Sequence, residues 1–133
     1  LRYTLVQPLI PQSEINDGSK YDEQFARLRA LTAPGRSERR IVLWPESAIP
    51  DFLEDGYPER YYWQMTAGGD PLFARRRLGL LIGPRSTLLT GVINLDIGRR
   101  ADGTPGAVSA RNSVIALTPG GAIAHTYAKA HLV

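Results

Sequence analysis

Ile41-Val42-Leu43-Trp44-Pro45-Glu46-Ser47-Ala48-Ile49-Pro50 is the stretch on which both the fold and the chemistry of this chain turn. The apolar run Ile41 to Leu43 predicts a short buried strand. Pro45 and Pro50 keep any ladder or helix from running on, because proline lacks a backbone donor and restricts the residue before it. Glu46 is therefore expected on a rigid loop directly after a buried strand, mounted on Trp44 and the prolines. Apolar surroundings disfavour an ionised acid and raise its proton affinity, which suits a general base. The plainer readings are that Glu46 caps a helix starting at Ser47, or pairs with an arginine.

Upstream, Tyr3 to Val6 is β-branched and aromatic and predicts a buried strand, with Pro8 and Pro11 forcing an extended exit. Residues 12–20 predict a loop. Tyr21, Phe25, Leu28 and Leu31 then recur at helical spacing, Asp22 and Glu23 suit the helix's positive end, and Ala33-Pro34-Gly35 stops it. Downstream, residues 51–77 predict loop with helices around 57–66 and 70–78. Leu88 to Ile97 predicts a third strand, in which Gly91 signals a close backbone approach or a bulge. The Gly- and Arg-rich residues 98–108 predict a loop. Ser113 to Leu117 and Ala122 to Tyr127 predict a hairpin about Pro119-Gly120-Gly121. This alternation defines an α/β layered domain, and 133 residues suffice for one core but not two.

The net charge of +3 comes almost wholly from arginine, Lys20 and Lys129 being the only lysines. The arginines cluster as Arg39-Arg40, Arg75-Arg76-Arg77 and Arg99-Arg100 without the interleaved aromatics of a nucleic-acid groove, so no nucleic-acid partner is expected. They read as a solvated basic face, with contact to an anionic lipid surface as the other reading. The chain has no cysteine, which removes disulfides, thiolate metal sites and a thiol nucleophile from these residues. His125 and His131 have no acidic neighbour in the final segment, so no metal site is expected. No apolar run approaches the ~20 residues that a membrane span needs. The chain does not start with methionine and reads as part of something longer.

The second informative stretch is Tyr127-Ala128-Lys129-Ala130-His131-Leu132-Val133. In so arginine-rich a chain the lysine is conspicuous, and its compact ammonium suits an oxyanion better than a planar guanidinium does. Taken alone, it is equally an ordinary lysine at a strand end.

Together the two stretches resemble the carbon-nitrogen hydrolase (nitrilase) superfamily, whose members use a Glu-Lys-Cys triad. The glutamate there follows a buried strand, and the lysine falls in a Tyr-x-Lys-x-His-Leu pattern, matched by Tyr127, Lys129, His131 and Leu132. The closer likeness is to the apolipoprotein N-acyltransferase branch. It rests on residues 5–12 (Leu-Val-Gln-Pro-Leu-Ile-Pro-Gln), the heptad Trp44 to Pro50, the ending His-Leu-Val, and the order of Leu89 to Val92 and Asn112 to Val114 between Glu46 and Lys129. The heptad is specific; the lysine pattern is shared across the superfamily. Departures at Leu9, Tyr21 and Arg111 bear on lipid contacts, not on the triad.

The resemblance implies an α/β fold, the front part of a nitrilase-type α-β-β-α sandwich, with residues 1–133 a partial domain that stops before the catalytic cysteine. It implies Glu46 as general base, Lys129 as oxyanion-stabilising lysine and Tyr21 as a substrate-side aromatic, with no cofactor and no metal. The implied partners are a phospholipid acyl donor and an apolipoprotein acceptor, with membrane attachment through segments outside this chain. The implied location is the bacterial inner membrane, this domain facing the periplasm. The chain alone is expected to be inactive and to self-associate through uncovered sheet surface. A soluble amidase with the same triad, and a non-catalytic module of the same fold, are the alternatives. Residues 56–73, with Tyr57, Tyr61, Tyr62 and Trp63, are a candidate lid at a membrane interface, or else ordinary helix packing.

Overall fold

The computed structural model describes residues 2–8, 18–46 and 48–128. They form a mixed α/β unit whose single sheet has five strands in sequential order: β1 (Arg2–Leu5), β2 (Arg40–Leu43), β3 (Thr87–Arg99), β4 (Pro105–Leu117) and β5 (Ile123–Ala128). β1, β2 and β3 are parallel, with Leu5 opposite Leu43 and Leu43 opposite Leu89. The last two pairings are antiparallel hairpins. Parallel neighbours require a crossover. Helix α1 (Tyr21–Thr32) makes the first, and α2 (Glu59–Met65) with α3 (Pro71–Ile82) the second. Asp70 caps α3, its side chain accepting the Leu72 amide at 3.0 Å, and Pro71 opens the helix where no donor is needed.

The core lies on one face of the sheet. Leu28 of α1 and Ala74, Leu78 and Ile82 of α3 pack on Val42, Leu88, Ile115 and Leu117, all nearly inaccessible to solvent. The other face is different near both edges. Tyr3, Leu5 and Tyr127 are 67%, 67% and 58% exposed. β1 was expected to be buried; it is instead an edge strand with its large apolar side chains open, since α1 and α3 cover only the opposite face.

The second correction concerns residues 98–108. They are not a loop: β3 runs to Arg99 and β4 starts at Pro105, leaving a tight turn between them. Asp102 accepts both the amide and the hydroxyl of Thr104 in that turn. The strands are held from outside, as Arg60 donates to Pro105 O at 2.7 Å and the Ala107 amide donates to the Tyr61 hydroxyl at 2.8 Å.

The arginine clusters also need correction, since Arg40 and Arg75 are 2% and 6% exposed rather than solvated. Arg75 donates to Gly121 O, to Leu53 O and to Asp55, tying α3 to the β4–β5 turn and to the loop before α2. A neighbouring residue gives a test of this contact. Alanine is normally better than glycine inside a helix by about 1 kcal/mol. At Gly79, however, a Cβ would lie 2.1 Å from Pro119 O. Gly79→Ala is therefore expected to lower stability by about 2 kcal/mol, read from thermal or urea unfolding. An unchanged or raised midpoint would mean that the turn at Pro119 moves aside freely.

Candidate functional site

The segment after β2 is anchored on both sides of Glu46. At its base, the Trp44 amide extends the parallel ladder to Leu89 O at 2.8 Å. The Trp44 indole donates to Thr32 Oγ1 at 3.0 Å and meets the Phe25 ring edge-on. Beyond Glu46, Ala48, Ile49 and Leu53 are buried in the main core. Asp51 then accepts the Ala67 amide at 2.8 Å, and the Thr66 hydroxyl bonds both the amide and the carbonyl of Phe52.

Between these anchors the chain crosses β3 at Gly91. A Cβ there would lie 2.8 Å from Glu46 Cα and 3.4 Å from both Glu46 N and Pro45 O. Only glycine lets the backbones approach so closely, and the close approach expected at Gly91 is found. Ala48 N donates to Pro45 O at 3.3 Å, closing a turn around Glu46, and residues 48–53 are not helical. Glu46 therefore does not cap a helix. Its side chain is exposed, so the apolar enclosure expected around it is not built by the described residues.

Lys129 and His131 lie outside the described residues, but the strand that leads to them is described. Gly91 pairs with Val114, and Val114 with Tyr127. β5 is antiparallel to β4, which is antiparallel to β3, so β2, β3 and β5 point the same way. The C-terminal ends of β2 and β5 therefore lie at the same end of the sheet. Two strand spacings, about 10 Å, separate β5 from the strand beneath Glu46.

Tyr21 opens α1, half-buried, and lines a cavity of about 210 Å³ together with Ala48, Pro50, Asp51 and Met65. The structure thus brings Tyr21 to the loop that carries Glu46. It also adds two residues that the sequence did not single out. Asp51 is 6% exposed, and Arg77 reaches between it, at 4.0 Å, and the face of Phe25, at 3.9 Å. The available signal was position alone, an acid directly after Pro50 and an arginine at the end of a triplet.

Burial pushes the Asp51 carboxyl above the usual carboxylate range, with the Ala67 amide and the Arg77 guanidinium acting in the opposite sense. A carboxyl with a raised folded pKa binds its proton more tightly when folded, so ionising it costs stability. That cost is absent below the ordinary Asp range, develops as pH rises through that range to the raised value, and is complete above it. Asp51→Asn removes the titration. The stability difference between the variant and the parent is expected to move in the variant's favour as pH rises above about 4. A difference independent of pH in urea titrations would show that burial does not govern this carboxyl.

The candidate lid resolves mainly into packing. Tyr57 and Tyr62 are buried and stacked, the Tyr62 hydroxyl donating to Glu54 O and the Tyr57 hydroxyl accepting the Leu95 amide. Tyr61 is half-buried, and of the four aromatics only Trp63, 70% exposed, faces solvent. Among the described residues no helix is long and apolar enough to cross a membrane. No family model matches this chain, and no curated protein matches it.

Proposed function

We propose that this chain carries the glutamate and lysine of a nitrilase-type acyl-transfer site, in an apolipoprotein N-acyltransferase whose thiol comes from polypeptide outside these residues. The observation that carries the reading is the crossing of Glu46 over Gly91, at the end of the sheet where the described part of β5 ends, one residue before Lys129 in the sequence. The open apolar side chains Tyr3, Leu5 and Tyr127 support the four-layer form, since a second sheet would cover them. The chain has no cysteine, so the complete site needs one from elsewhere.

In this reading Glu46 takes the thiol proton and the thiolate attacks the ester carbonyl of a phospholipid. The tetrahedral adduct collapses to a thioester, and Glu46 returns its proton to the departing alkoxide, which leaves as lysophospholipid. The α-amine of a diacylglyceryl-cysteine protein then attacks the thioester; Glu46 accepts the amine proton, the C–S bond breaks as the amide forms, and Glu46 passes that proton to the departing thiolate. Lys129 holds the oxyanion in both steps, an interaction worth about 3–4 kcal/mol in comparable sites. One positioned carboxylate is enough because a thiol ionises far more readily than a hydroxyl. An exposed Glu46 fits this scheme if the covering sheet also closes the site.

The test is to incubate the complete enzyme with phospholipid and no acceptor, and weigh it. An added fatty acyl mass, released by hydroxylamine and discharged by a lipoprotein amine, is expected. Turnover of small amides, with no acyl mass from phospholipid, would replace the proposal with an amidase. Neither product would leave the fold without the chemistry.

A further inference from the structure

Away from the Glu46 loop, α1 and α3 leave a groove of about 550 Å³ between their outer surfaces. Phe25 and Ala26 of α1 face Leu80 and Leu81 of α3 across it, and Leu80 is 68% exposed. The rim is charged unevenly. Asp22 stands at the start of α1, whereas Arg29 and Arg36 stand at and beyond its last turn. Arg77 is already committed to Phe25 and Asp51. Arg36, which also lines the groove, donates its Nε to Leu80 O at 2.8 Å, so its terminal nitrogens are not used in that bond.

We propose that this groove binds a small single-chain amphiphile with a carboxylate head, its tail along Phe25, Leu80 and Leu81 and its head between Arg29 and Arg36. The inference uses neither Glu46 nor Lys129 and stands apart from the acyl-transfer reading. Volume favours a small ligand over a partner helix: about 550 Å³ lies within the range of small-molecule sites, while a stable protein contact needs about 1,000 Å² or more of buried surface. The charge sets the polarity of the ligand. Arg29 and Arg36 against one aspartate, with Arg77 already paired to Asp51, disfavour a cation, and a guanidinium fork matches a carboxylate. The single acid at the far end holds the head group at the Arg29–Arg36 end.

The probe is sodium decanoate, kept below its aggregation concentration and followed by amide chemical shifts of the isotope-labelled protein. Saturable shifts are expected at Phe25, Ala26, Arg29 and Leu81. Arg29→Gln is expected to weaken binding at least fivefold, and Ala26→Trp, which fills the groove, to abolish it. Both positions are exposed, and unchanged melting midpoints check that the fold is kept. Decan-1-ol is expected to bind at least tenfold more weakly than decanoate. Equal binding of the alcohol, shifts that survive Ala26→Trp, or shifts centred on Tyr3 and Leu5 would each overturn the proposal, as would no binding at all.

Discussion

Arg40→Met is expected to remove on the order of 3–5 kcal/mol of stability. Arg40 is 2% exposed and donates to Thr4 Oγ1 and Pro34 O through Nη1, and to Thr32 O and Ile82 O through Nη2. Thr32 and Ile82 are the last residues of α1 and α3. Carbonyls at a helix C-terminus lack intrahelical donors and carry the negative end of the helix dipole. One guanidinium on β2 therefore satisfies both helix ends and reaches across to β1. Burial pulls its pKa down from the usual arginine value, and Glu38 opposes that shift, so the charge is held at some cost. Methionine keeps the stem's apolar volume, which isolates the loss of donors from any loss of packing. Arg40→Lys keeps the charge but cannot fork to both helices, and an intermediate loss is expected. Urea unfolding measures both. A methionine variant within about 1 kcal/mol of the parent would mean that water replaces the guanidinium at the helix ends.

The parts of this fold that could be read beforehand are those whose cause is local. Tyr21 to Thr32 is helical and ends at the Ala33-Pro34-Gly35 stop as the sequence predicts, and Ile41 to Leu43 lies within β2, but the buried face of the helix is Gln24, Leu28 and Thr32, with Leu31 of the predicted stripe exposed. Gly91 signalled a close approach because glycine within a strand has few other reasons to be there. What was missed has distant causes. Residues 98–108 look like a loop because glycine, proline and arginine dominate them, yet Arg60 and Tyr61 of α2 hold the strands from 45 and 46 residues away. The buried arginines were legible in part. Arg40 shares the two-residue alternation of Val42 and Trp44, and Arg75 sits on the same helical stripe as Leu78 and Ile82. Reading the arginines as clusters hid that periodicity. At the candidate site, the Glu46 loop could be anticipated from its sequence. Asp51 and Arg77 could not, because their pairing depends on how α3 returns over that loop.

Under the proposed acyl-transfer reading, Glu46→Gln and Gly91→Val are expected to slow acylation by different routes, and comparing them tests the site directly. Glutamine keeps the shape of the side chain, and the melting midpoint checks that the fold is kept. It cannot accept the thiol proton, and the acylation rate is expected to fall about 10²–10⁴-fold. Gly91→Val leaves Glu46 chemically intact. Its Cβ alone would come within 2.8 Å of Glu46 Cα, so the loop must shift or the strand must yield. A displacement near 1 Å costs about 10²-fold in a positioned reaction, with about 1–3 kcal/mol of stability lost to overpacking. Gly120→Ala is the control, since a Cβ there meets nothing closer than Thr118 Oγ1 at 4.0 Å. If Glu46→Gln retained acylation within a few-fold of the parent, another group would be the base. The close contact at Gly91 would then serve only to seat the loop on the sheet.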